Sequence, residues 1–194
     1  MIQMTQTMPR QRAWTRDEYD RLTDLGFFQG ERLELIEGQI VVMAPMKSPH
    51  ATATGLADDA LRAVIGSGYI IRIQMPFVLG DRSEPEPDVA VVAGPRRAYA
   101  AAHPTMAVLL VEVADSSVEY DRKIKGSLYA RAGIEDYWIV NLPERQVEVY
   151  RRPALDPDAF AGWSYADRHI ARAGETVSSL AVPAAVIAVA DLLP

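Results

Sequence analysis

The chain has 194 residues, 49% of them hydrophobic and 24% charged, enough for one globular domain with a buried core. Its net charge of −6 argues against a protein that coats nucleic acid through a general basic surface, although it leaves room for a local basic cleft. Cysteine is absent and the histidines are His50, His103 and His169, which excludes disulfides and thiolate sites and leaves any metal to oxygen ligands.

The opening MIQMTQTMPRQRAW is polar with scattered arginines and lacks the apolar core of a signal peptide, so residues 1–13 read as a flexible arm. No window approaches about 18 uninterrupted apolar residues. The expectation is a cytoplasmic protein with no membrane segment, one domain over 1–194.

Thr15 and Glu18 have capping-box spacing and Gly26 suits a helix stop, predicting a helix over about 15–25. RLELIE, then Gly38, then QIVVMA is a hairpin pattern in which Leu33, Leu35 and Glu37 share one face. Ser48 is placed to cap a helix whose stripe runs Ala51, Leu56, Ala60, Leu61 and Val64, with Gly66 and Gly68 ending it. Three strands follow, YIIRIQMPFVL, PDVAVVA and AVLLVEVA, the last two joined by a GPRRAYAAAHP segment with room for a short helix. From Ser117 to about Ala132 the period is helical and Gly133 fits the position just past its end. DYWIVNL and QVEVYRR read as strands, WSYADRHI as a last strand, and about 184–192 as a closing helix. The fold class is α/β or α+β around one mixed sheet flanked by helices.

Three groups look chemical. Glu112 interrupts the apolar run Val108 to Val113, and burying a carboxylate is costly without a metal or cation; the alternative is a structural pair with an arginine. Asp88 follows Glu84-Pro85-Glu86-Pro87, whose prolines stiffen the entry into a strand and remove backbone donors. Two carboxylates from adjacent strands, completed by a backbone carbonyl (that of Val113) and waters, match the oxygen site that Mg²⁺ demands; otherwise Asp88 is a solvated strand end. Asp121, Lys125 and Tyr129 recur at four-residue intervals on one helix face. Lysine is rare here, with Lys47, Lys123 and Lys125 the three among 20 basic residues, and its compact ammonium is suited to charge on a phosphate. The bland account of that face is an Asp–Lys pair on a wet surface.

Pro87-Asp88 followed by Glu112 resembles the PD-(D/E)XK arrangement. The ordered series Leu33-Glu34-Leu35-Ile36-Glu37-Gly38, Ser48-Pro49-His50, Gln74, Glu84 to Asp88, Val111-Glu112-Val113, Tyr120-Asp121-Arg122, Lys125, Tyr129, Gly133 and Asp136 to Val140 is similar to that of the Uma family of restriction-endonuclease-like proteins. The resemblance covers most of the chain. It departs from the superfamily pattern at Ala114, two after Glu112, where lysine is usual; in this family the lysine comes from the following helix, and Lys125 matches it, while Lys123 points elsewhere.

The resemblance implies a restriction-endonuclease-like fold and a catalytic set of Asp88, Glu112, Lys125 and an acidic residue from the first hairpin, which falls on Glu37. Gln74, His50, Asp121 and Tyr129 are expected to support or contact it. The reaction expected is hydrolysis of a DNA phosphodiester with Mg²⁺, or Mn²⁺ in its place, held by Asp88, Glu112 and the Val113 carbonyl. Cutting both strands of a duplex with one site per chain favours a homodimer. The rival expectations are a catalytically silent DNA-binding or assembly protein and a hydrolase of smaller phosphate esters.

Overall fold

The computed structural model describes residues 11–194. The first ten residues of the expected flexible arm lie outside the described residues. The remainder of that arm is anchored: Arg12 pairs with Glu18 and lies 4.5 Å over the Trp14 ring. Gly38 sits so close to Ala13 that a Cβ there would come within 2.7 Å of it. Helix α1 (Arg16–Asp24) starts with the expected capping box, in which Glu18 N–H donates to Thr15 and Thr15 N–H to the Glu18 carboxylate.

Strands β1 (Leu33–Ile36) and β2 (Gln39–Val42) form the expected hairpin. Its two-residue turn has Glu37 at φ 49° and Gly38 at φ 77°, the double left-handed turn that matches strand twist. Helix α2 (Ser48–Val64) buries Ala53, Ala57 and Leu61; its cap position is Lys47 and Pro49 fills the first turn, so the cap expected from Ser48 does not form.

The main sheet has six strands in the order β3 (Tyr69–Ile73), β4 (Val89–Ala93), β5 (Leu109–Ala114), β6 (Asp136–Asn141), β7 (Gln146–Leu155) and β8 (Trp163–Arg172). β5 and β6 are parallel and every other neighbouring pair is antiparallel, which makes the sheet mixed. The strand expected over 69–79 ends at Ile73, because Gln74 adopts φ 48° and its N–H turns to the Pro87 and Asp88 carbonyls. A 3₁₀ turn, Arg96–Tyr99, fills the segment where a short helix was allowed.

One sheet face packs Val89, Val91, Val111, Val113 and Trp138 against α2 and the C-terminal residues; the other packs Ala90, Leu110, Tyr137 and Ile139 against Leu128 and Tyr129. The helix expected from Ser117 to Ala132 is present but broken in pitch: α3 (Val118–Tyr120), a π-helical segment (Asp121–Lys125) and α4 (Gly126–Arg131). The tail also departs from expectation. In place of a closing helix, β9 (Thr176–Val177) pairs with β10 (Ile187–Ala188), and a 3₁₀ turn, Val189–Leu192, follows.

Glu148 of β7 ties the π segment to the sheet. It is fully buried and accepts from Arg122 Nε (3.0 Å), Arg168 (2.9 Å), Asn141 (2.8 Å) and the Tyr150 hydroxyl (2.6 Å). Burial pushes its carboxyl up, but the bonds from Arg122, Tyr150 and Asn141 outweigh this and hold it at about 2. A folded pKa below the unfolded one stabilises above the unfolded value of about 4.3 and is lost as pH falls through the folded value. Urea titrations should therefore show the wild type losing about 2–3 kcal/mol between pH 5 and pH 2 that Glu148→Gln does not lose. Parallel losses in both proteins would contradict this assignment.

Candidate active site

Asp88 and Glu112 meet because of strand register. Val89 pairs with Val111, so the next position sets Asp88 opposite Glu112 on the same sheet face. The Asp88 N–H points at Glu112 Oε2 at 3.4 Å. Asp88 Oδ2 accepts from Val113 N–H (2.8 Å) and lies 3.1 Å from His50 Nε2, while Oδ1 accepts from the Gln74 amide at 3.0 Å. Burial pushes the Asp88 carboxyl up, and the His50, Gln74 and Val113 contacts more than reverse it, so it ends below its ordinary value. His50 is shifted up by the same hydrogen bond.

Lys125 reaches the strands through the π segment. There the Gly126 N–H bonds to the Asp121 carbonyl, which also accepts from Tyr137 Oη at 3.1 Å. Gly126 suits the crowding, since a Cβ would lie 3.2 Å from that carbonyl and 3.4 Å from the Tyr137 ring. Lys125 is 2% exposed, and its Nζ donates at 3.0 Å to both Glu112 Oε1 and Glu34 Oε1; Tyr129 Oη donates to Glu112 Oε1 at 2.7 Å. The face carrying Lys125 and Tyr129 is therefore turned to the sheet, not to a wet surface. Asp121 is buried too, bonded to Ser117 Oγ at 2.6 Å. Lys123 is exposed and paired with Glu119.

Of the expected residues, Asp88, Glu112, Lys125, Tyr129, Gln74 and His50 are linked by direct contacts, with Asp121 close by. Glu37 is not among them: it sits in the hairpin turn, bonded to Ser83 and ion-paired with Arg131. The expectation that it shares a face with Leu33 and Leu35 fails because the left-handed turn ends the strand alternation before it. Glu34 joins the cluster instead. It is 1% exposed and takes Lys125 and the Glu86 N–H, the one backbone donor between Pro85 and Pro87, on Oε1. A signal for it was present in Leu33-Glu34-Leu35-Ile36, where a charge interrupts an apolar run as Glu112 does. Glu34 Oε2 is buried without a partner among the described residues.

A cavity of about 130 Å³ opens onto this cluster, and its lining holds six carboxylates (Glu34, Glu86, Asp88, Glu112, Asp115, Asp121) against the cations Arg32, Lys47 and Lys125 and the imidazole of His50. The surplus of negative charge registers on the acids. Burial raises Glu112 to about 8 even though Lys125 opposes it, with Asp88, Asp121 and Glu34 adding to the rise. Burial likewise raises Asp121 to about 6, against the pull of Lys125 and Ser117. Lys125 is driven up by Glu112 and Glu34 in spite of its burial and stays an ammonium.

For a cation, the donor chemistry fits: hard oxygen atoms, surplus negative charge, one orphaned carboxylate oxygen, and the Val113 carbonyl on the strand edge from which its N–H reaches Asp88. Among the described residues, no group of three or more His, Asp or Glu side chains is already arranged to hold a metal ion. Most of the carboxylate oxygens are engaged by protein donors. No helix of the described residues is long and apolar enough to cross a membrane.

A family model described as "Uma2: Putative restriction endonuclease" matches residues 16–190. No curated protein matches the sequence. Among solved structures, the fold is similar to that of a putative nuclease belonging to DUF820 from Anabaena variabilis ATCC 29413, with a TM-score of 0.69 and 17% identity over 92% of this chain and 96% of that one. The type IIG restriction endonuclease BpuSI aligns over 58% of this chain and 13% of its own, at 16% identity and a TM-score of 0.36.

Proposed function

The chain belongs to the Uma2 family of putative restriction endonucleases, and from that premise we propose that it is a Mg²⁺-dependent endonuclease hydrolysing DNA phosphodiester bonds. One observation carries the reading: Glu34, Asp88 and Glu112 converge with Lys125 on the floor of one cavity, and their surplus negative charge calls for a cation.

Asp88, Glu112 and the Val113 carbonyl are the residues that would hold the metal, with Glu34 Oε2 as a further donor. When bound, Mg²⁺ or Mn²⁺ supplies charge neutralisation at the phosphate and a more acidic water. The chain's own residues do the rest. Lys125, kept protonated by its two glutamates, orients water and offsets charge developing on the phosphate, and so serves as a cation and not as a base. Tyr129 fixes the Glu112 carboxylate, and Gln74 and His50 fix that of Asp88.

The reading is tested by incubating supercoiled plasmid and single-stranded DNA with Mg²⁺, Mn²⁺ or EDTA. Cleavage with either metal and none in EDTA is the expected result; no cleavage with either metal would overturn it. That second outcome, with DNA binding retained, would favour a catalytically silent DNA-binding protein, the reading on the side of carboxylates already engaged by protein donors.

A further inference from the structure

The segment that leads from β2 into α2, Met43 to Lys47, lines the same cavity as the carboxylates. Up to Lys47 it is apolar, and it is open to solvent, with Met46 39% exposed. Met46 is tied to the chemistry through one side chain, because the Gln74 amide that donates to Asp88 also contacts the Met46 sulfur at 3.9 Å. One cation, Lys47, ends this strap, and another, Arg32, lines the same cavity. Arg32 lies 3.7 Å from Glu86 in a half-buried pair, and Lys47 lies 3.5 Å from Asp115 in an exposed one.

The carboxylates lie on the floor of this cavity, so the sugar and base next to a phosphate held by them fall toward its rim. There the chain offers thioethers and a proline in place of the run of lysines and arginines that grips a duplex backbone. Apolar side chains gain from a base only where it is unstacked and presents its face. The carboxylates are also nearly inaccessible, with Glu34, Asp88 and Glu112 all at or below 5% exposure. A flexible strand can push a phosphate down to them more readily than a stiff duplex can.

Resting on the nuclease reading above, we propose that the Met43–Lys47 strap is a base-contacting rim that selects an unstacked DNA strand over an intact duplex, with Arg32 and Lys47 gripping the neighbouring phosphates. Met46 is the residue on which selection turns.

The test separates binding from cleavage. Fluorescence anisotropy of a labelled short DNA strand and of its duplex is measured in EDTA and again in Ca²⁺, for the wild type, Met46→Ser and Lys47→Ala. All these side chains are exposed, so the variants should fold. The strand should bind tighter than the duplex, and Met46→Ser should weaken strand binding about five- to tenfold while leaving duplex binding unchanged. Lys47→Ala should weaken both and flatten their salt dependence. Equal or tighter binding of the duplex, an unchanged Met46→Ser, or no binding of either DNA would overturn the proposal. Strand-selective binding without metal-dependent cleavage would instead overturn the nuclease reading and leave this one standing.

Discussion

Glu112→Gln should reduce Mg²⁺-dependent cleavage by roughly 10²- to 10³-fold or more, with little change in the melting temperature. Glutamine keeps the shape, and its carbonyl can still accept from Lys125 and Tyr129; what is lost is the oxygen facing the Asp88 N–H at 3.4 Å and the charge that a bound cation would stabilise. That charge is unfavourable to the fold, since burial and three neighbouring acids already press the Glu112 carboxyl up to about 8. A large catalytic loss without a stability loss therefore marks a group retained for chemistry. Glu34→Gln should behave in the same way, whereas Glu37→Gln should stay close to wild type, because Glu37 bonds Arg131 and Ser83 in the turn. Loss of activity in Glu37→Gln with an intact Glu34→Gln would reverse the assignment of the third acid.

Lys125→Met has the opposite signature and should cost about 3–5 kcal/mol of stability as well as activity. Methionine fills similar space, but Glu34 and Glu112 are left without the cation that sits 3.0 Å from each, in a site where Lys125 is 2% exposed. Pairing it with Glu34→Gln removes one uncompensated carboxylate, and the double variant should recover part of the loss. Additive losses in the double-mutant cycle, read by urea denaturation, would show that the two side chains are not coupled.

The parts of the site that could be read from sequence were those with a local physical signature. Glu112 breaks an apolar strand, and Asp88 ends a proline-stiffened approach. Their meeting depends on the register of β4 and β5, which a 24-residue separation suggests and only pairing defines. The position of Lys125 was legible as a helix face, but its direction depends on the π segment, whose extra residue per turn leaves no plain sequence period. Glu37 is the acid that the family resemblance points to, and strand alternation agrees with it only when carried one residue too far, into a turn with positive φ. All four residues of β1 are buried, so alternation held no information about which face meets the site. The C-terminal pairing of β9 with β10 was hidden for a similar reason, since two-residue strands carry no periodicity.

In the proposed function, the Glu34, Asp88 and Glu112 carboxylates form a cation site that drives cleavage. Mg²⁺ titration by calorimetry, with DNA cleavage measured on the same samples of wild type and Asp88→Asn, tests it most directly. The wild type should bind Mg²⁺ and cleave, and Asp88→Asn should lose both together. Binding heat and cleavage unchanged in Asp88→Asn would contradict it.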